Sequence, residues 1–282
     1  MNFLFLGFGT IASHFLENYI VPKQANHAFI VSRHTPEIPT NSISLINQPA
    51  LEGAEKPDVV ICSWKSLDYL DRGWEFDYLK SLTSPANSKM VFLNLSSVAV
   101  YGECKYPADE NADLNPINEY GFKKLEFEEF LKGIGLPNLF NLRISNVFGD
   151  DRFRDYVNLL VNSSRSADPI FIDEPDRIFR DFIDISRVTS TLFNLISKKN
   201  YYPSIDSLDI NICSGESLSL LEIIEIYNSV SKIPLNYRIS TAHQQNIRES
   251  RVLNSRLRTL YSLSSWNSID EISKYFRIKQ LT

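Results

Sequence analysis

Tyr120 and Lys124 stand four residues apart in Tyr-Gly-Phe-Lys-Lys, and Ser97 lies upstream in Leu-Ser-Ser-Val-Ala-Val-Tyr-Gly. Those three side chains suffice to build a proton-transfer site. On a helix an i, i+4 pair shares one face, so the lysine ammonium can sit beside the phenol and favour its ionised form. Without such help a phenol, whose pKa is about 10, is a poor acid or base at neutral pH. The spacing alone is common in a chain of this length, and its setting decides its meaning.

A second group of chemistry-bearing positions opens the chain. Gly7, Gly9, Thr10, Ile11 and Ala12 follow a short apolar run and begin a helical pattern, G-x-G-x-x-A. Small residues at that turn let a dinucleotide pyrophosphate reach backbone N–H groups at the positive end of a helix. The end of the second strand usually selects the dinucleotide. A carboxylate there accepts from a ribose 2′-hydroxyl, whereas an arginine pairs with a 2′-phosphate. Here the residues are Ser32 and Arg33, and no acid occurs before Glu37, which favours NADP(H) and leaves NAD(H) open. His34 is read as an exposed loop residue.

The elements that must position these groups follow from periodicity. Apolar runs at 2–6, 28–31, 42–46, 59–62, 90–95 and 140–144 read as buried strands, and 10–20, 75–82 and 120–134 as helices, the last stopped by Gly135. Alternation of this kind predicts an α/β fold, a Rossmann-type doubly wound parallel sheet. After about residue 147 the regularity loosens into a helix near 154–163, a strand near 170–172, a helix near 187–198 and a strand near 208–212. Helices with short links dominate from about 219. The expected division is 1–147 as the dinucleotide-binding domain, with return segments near 183–212, and 148–282 as a smaller, mostly helical substrate-binding region. No repeat or low-complexity tract is evident.

Composition narrows the partners. The chain has 282 residues and a net charge of −5. Its acids and bases are mixed, with no basic stripe for nucleic acid and no polybasic membrane patch. Cys62, Cys104 and Cys213 are odd in number and widely spaced. They suggest neither a disulfide framework nor a metal site, and fit a reduced, cytoplasmic protein. The apolar start is too short for a signal peptide, and no stretch reaches the length of a membrane span. Cys62, Cys213, Trp64 and Trp74 read as packing residues, and Arg248 and Arg251 as a solvated helix face.

Six blocks in order carry a resemblance: Gly7-Phe-Gly-Thr-Ile-Ala-Ser-His, Asn94-Leu-Ser-Ser-Val-Ala-Val-Tyr-Gly, Pro116-Ile-Asn-Glu-Tyr-Gly-Phe-Lys-Lys124, Leu142-Arg-Ile-Ser-Asn-Val-Phe-Gly149, Arg180-Asp-Phe-Ile and Asn211-Ile-Cys-Ser-Gly215. With these the chain resembles the extended short-chain dehydrogenase/reductase family of NAD(P)-dependent epimerases, dehydratases and reductases of nucleotide-activated sugars. The resemblance implies that Ser97 hydrogen-bonds the reacting sugar oxygen, Tyr120 is the general acid/base, and Lys124 holds the nicotinamide ribose and lowers the tyrosine pKa. It places Val98 and Asn146 at the substrate and lets Arg180 contact a nucleotide diphosphate. It also implies pairing of the helices near 75–82 and 120–134 in a homodimer.

The departures are informative too. The glycine loop is one residue shorter than the family's G-x-x-G-x-x-G and ends in Ala12. Cys62-Ser63-Trp64 replaces the usual histidine and paired alanines, and no clear counterpart of the customary asparagine occurs between Asp68 and Leu82. Val98 and Ala99 stand where the 4,6-dehydratase branch carries an acid pair. Cys104, His27 and His243 do not match the residues of the branch that epimerises at two carbons. The expectation is hydride transfer at a ring carbon with Tyr120 moving the proton: an NADPH-dependent reductase of a nucleotide-diphosphate 4-keto-6-deoxy sugar. A 4-epimerase with tightly held NAD and a non-catalytic dinucleotide sensor are the alternatives.

Overall fold

The computed structural model describes residues 1–22, 27–32, 43–45, 56–70, 74–163, 168–198, 207–240, 247–261 and 266–281. The first half runs β1 (Asn2–Leu6), α1 (Thr10–Phe15), β2 (His27–Val31), β3 (Ile43–Leu45), β4 (Val59–Cys62), α2 (Trp74–Ser81), β5 (Val91–Ser97), β6 (Cys104–Ala108), α3 (Glu119–Gly133) and β7 (Leu139–Ile144). It continues through β8 (Asn146–Phe148), α4 (Tyr156–Ser163), β9 (Ile170–Asp173), β10 (Phe179–Asp184), α5 (Ile185–Ser197), β11 (Ser207–Ile212), β12 (Ser217–Ser219), α6 (Leu220–Val230), β13 (Tyr237–Ser240), β14 (Glu249–Val252), α7 (Ser255–Tyr261) and α8 (Ser268–Leu281).

Seven strands form one sheet in the order β11-β7-β5-β4-β1-β2-β3. The pairs β1–β2, β1–β4, β2–β3 and β4–β5 are parallel. The order grows outward from β1 in both directions, so a doubly wound sheet is what the alternating pattern built. Strands β4 and β7 are buried at every residue, as expected where helices cover both sheet faces.

Two compact units divide the chain. One comprises residues 1–100, 118–143 and 188–210, and the other 101–117, 144–187 and 211–282. In the first, Leu6, Val60, Cys62, Phe92, Phe127 and Leu139 share an apolar core. The expected helix over 10–20 is present, but its second half, Leu16–Ile20, is wound as a π-helix, with Phe15, Leu16 and Ile20 all buried.

The second unit has its own core, including Phe148, Leu160, Phe182, Ile223 and Phe276. It contains more strand than the sequence pattern indicated. A sheet runs β12-β10-β14-β6 with β8 paired to β10, and β13 pairs β9 separately. Strands of three to six residues carry too few side chains to display a period.

Candidate active site

Helix α3 begins at Asn118, whose side chain accepts from the Gly121 N–H at 2.8 Å and satisfies one of the unpaired donors of the first turn. Its inward face carries Gly121, Lys124, Phe127, Glu128 and Leu131. This is helical spacing with two charged residues set among apolar ones. Tyr120 and Lys124 therefore lie on neighbouring turns of one helix, and Ser97 ends the adjacent strand β5.

Desolvation raises the Tyr120 phenol pKa above its ordinary value although the residue as a whole is 46% exposed, and the neighbouring Ser97 hydroxyl pulls partly against that rise. The Ser97 hydroxyl also accepts from the Ala99 N–H at 3.2 Å, which fixes the turn that carries Val98 and Ala99. Val98 is buried.

Lys124 departs from the simple picture of an ammonium serving the phenol. It is 3% exposed, and its Nζ donates to the carbonyls of Leu95 at 2.7 Å and Trp64 at 3.1 Å. Burial pulls its pKa down to about 8. The Glu128 carboxylate opposes that fall and the Lys65 ammonium adds to it, while Cys62, whose thiol burial keeps protonated, would oppose it only as a thiolate. The lowering of Tyr120 by Lys124 that the spacing suggested does not figure among the influences on the phenol. The ammonium is instead held by carbonyls from β5 and from the segment after β4. Tyr120 accordingly stands protonated at neutral pH.

The β1–α1 turn tests whether a dinucleotide fits. Gly7 has φ +79°, and a Cβ there would meet Ser63 Oγ at 2.8 Å and Trp64 Cδ1 at 3.1 Å, so only glycine suits the turn. Gly9 is different: a Cβ on it would meet nothing within 4 Å. Gly9 is also the N-cap of α1, with no side-chain cap, and the first helical bond is Ser13 N–H to Gly9 O at 3.0 Å. The N–H groups of Thr10, Ile11 and Ala12 stand at the positive end of α1 without a side-chain cap, a donor set that suits a pyrophosphate despite the shortened loop. Ser32 follows β2 and is half-buried, whereas Arg33, His34, Glu37 and His243 lie outside the described residues.

Asn146 and Arg180 belong to the second unit. Asn146 Nδ2 donates to the Asp181 carbonyl at 2.9 Å. Arg180 donates to the carbonyls of Phe179 at 2.8 Å, Arg248 at 3.1 Å and Ile247, and burial lowers its pKa. These bonds give both side chains a local structural task.

Sequence reasoning missed one group altogether. Glu128, fully buried, pairs with Arg143 at 2.8 Å and accepts from the Ser96 hydroxyl. The signal available was a glutamate four residues after Lys124, on the apolar face of α3.

Residues 77–200 match the family model described as the NAD dependent epimerase/dehydratase family. The resemblance read from the six sequence blocks is borne out. Among curated relatives, a putative UDP-glucose 4-epimerase of Methanocaldococcus jannaschii is 29% identical over 49% of this chain and 45% of its own length. GDP-6-deoxy-D-mannose reductase of Pseudomonas aeruginosa is 24% identical over 62% of this chain and 60% of its own. The matches span about half the length of these relatives. Among solved structures, a UDP-glucose-4-epimerase from Stenotrophomonas maltophila with bound NAD and formylated UDP-arabinopyranose superposes with a TM-score of 0.78 at 17% identity, covering 100% of this chain and 98% of that one. UDP-glucuronic acid 4-epimerase from Bacillus cereus, in complex with UDP-glucuronic acid and NAD, gives 0.76 at 21%, with both chains covered completely. At such identities the superpositions establish the fold.

Proposed function

We propose that the protein acts on nucleotide-activated sugars with a nicotinamide dinucleotide, and that its reaction is the reduction of a nucleotide-linked 4-keto-6-deoxyhexose by NADPH. The observation that carries this reading is the protonated Tyr120 beside Ser97, followed by the inert Val98 and Ala99: one proton donor and no paired acid. A bound nicotinamide supplies hydride exchange at the ring carbon. The turn from Gly7 to Ala12 would hold the pyrophosphate, and Lys124 would hold the nicotinamide ribose. Ser97 holds the keto oxygen, and Tyr120 gives it a proton as negative charge develops there. Arg33 supports NADPH, and the kinship with GDP-6-deoxy-D-mannose reductase supports a 6-deoxy sugar.

The second reading, a 4-epimerase with retained NAD, has support in the relatives named as epimerases and in the NAD of the solved neighbours. Supplying nucleotide 4-keto-6-deoxy sugars with NADPH separates the two. A fall in reduced-nicotinamide absorbance matched to product supports reduction, whereas interconversion of sugar epimers without net cofactor consumption would replace that reading. Tyr120→Phe should lower turnover by about a hundredfold or more while dinucleotide binding survives. Unchanged turnover would remove Tyr120 as the acid. Among the described residues no helix is long and apolar enough to cross a membrane, in keeping with a cytoplasmic site of action. Phe76 on α2 and Phe122 on α3 are exposed, which supports a homodimer through these helices, and sedimentation equilibrium tests it.

A further inference from the structure

Three consecutive residues at the end of β5 each engage α3. The Leu95 carbonyl accepts from Lys124 Nζ, the Ser96 hydroxyl donates to Glu128 Oε1, and the Ser97 hydroxyl acts on the Tyr120 phenol. The helix partners are spaced by four residues and share one face, although their order along the helix does not follow the order along the strand. The middle rung on the strand, Ser96–Glu128, has no part in the proton transfer described above. Its carboxylate is nonetheless 0% exposed, held by Arg143 through Nε at 3.2 Å and Nη2 at 2.8 Å. A charged pair in a core is a weak source of stability, because removing it from water offsets most of the attraction. Its value lies in where it holds the chain.

We propose that Glu128 is a positioning residue for the site, fixing the Ser97 end of β5 against α3 through Ser96 and sustaining the positive charge of Lys124 one turn away. This rests on the reading of Tyr120 and Lys124 as the proton-transfer pair. The charged and titratable groups that act on Lys124 are Glu128 on its own helix, Cys62 at the end of β4, and Lys65 beyond it. Burial pushes the Cys62 thiol up to about 12, so it is uncharged where Lys124 titrates. Lys65 is a repelling cation. Glu128 is therefore the carboxylate among these groups that keeps the buried ammonium charged, with Arg143 absorbing part of its field.

The test follows Lys124 directly. In protein labelled at lysine Cε, the resonance absent from Lys124→Arg reports its titration by NMR, without substrate or cofactor. The midpoint should fall by about one pH unit in Glu128→Gln and return in Glu128→Asp. Ser96→Ala should leave the midpoint in place and lower kcat severalfold with KM little changed. Should Glu128→Gln not fold, Glu128→Asp and Ser96→Ala still decide the positioning role, since both break or lengthen the middle rung while keeping the charge. A Lys124 midpoint indifferent to Glu128→Gln, or parental kcat in Ser96→Ala, would overturn the proposal. Retained activity in Tyr120→Phe would instead sink the assignment of the acid and leave the Lys124 titration standing.

Discussion

In the first unit the buried carboxylate of Glu128 faces a guanidinium; in the second the buried carboxylate of Asp181 faces hydroxyls and backbone N–H groups. Asp181 accepts from Ser145 Oγ at 2.7 Å, Ser214 N–H at 2.9 Å, Ser214 Oγ at 2.7 Å and Gly215 N–H at 2.8 Å. It draws two distant loops onto β10 without a cation. Burial raises its pKa to about 6, even though all four bonds pull the other way. Glu128 binds a strand end to a helix and shares Arg143 with Asp209, which Nη2 reaches at 2.9 Å. The difference separates two uses of a buried charge. Near the candidate chemistry the buried carboxylate is paired with a cation, whereas dipoles suffice where the task is to close turns.

The comparison breaks most sharply if the cation is removed. Arg143→Met leaves Glu128 buried without a counter-charge, and chemical denaturation should show a loss of about 3–5 kcal/mol. A loss near zero would mean that Asp209 and Glu128 relax toward solvent and that the pair was never essential. The second unit should respond less strongly and with a pH signature. Asp181→Asn keeps the shape but trades a charged acceptor for an amide, at a cost of about 2 kcal/mol. In the folded protein Asp181 takes up its proton near 6, above its ordinary value of 3.8. The folded state then binds more protons than the unfolded chain between those values, so this group's contribution to stability falls as pH rises through that window. The stability gap between the parent and Asp181→Asn should accordingly be wider at about pH 5 than at about pH 7. Equal gaps would show that Asp181 ionises normally.

What the sequence displayed was local. Tyr120 and Lys124 are separated by one helical turn, and the apolar run at 59–62, preceded by Pro57, reads as a buried strand. The parallel, doubly wound character of the central sheet followed from alternation. The partners of the buried charges did not, because Glu128 and Arg143 meet across a helix and a strand, and Asp181 meets Ser214 across 33 residues. No periodicity records such a meeting. Strand β14 pairs with β6, nearly 150 residues earlier, and its four residues look the same as a polar link. The direction of Lys124 was hidden for a related reason: spacing puts it beside Tyr120, but the carbonyls that claim its ammonium come from residues 64 and 95.

The smallest expected effects come from two matched hydroxyl deletions. Ser96→Ala removes one bond to Glu128, and Ser214→Ala one to Asp181, each costing about 1 kcal/mol in unfolding. Their pH behaviour should nonetheless diverge. The Ser214 hydroxyl is one of the groups that hold the Asp181 pKa down, so without it that carboxyl should take up its proton at a higher pH, and the acid-side gain in stability should begin earlier as pH falls. Ser96→Ala leaves Asp181 and all four of its bonds in place, so it should not move the acid-side window that Asp181 sets. Parallel pH curves for Ser214→Ala and its parent would mean that dipoles in the second unit fix geometry alone and leave the Asp181 proton untouched.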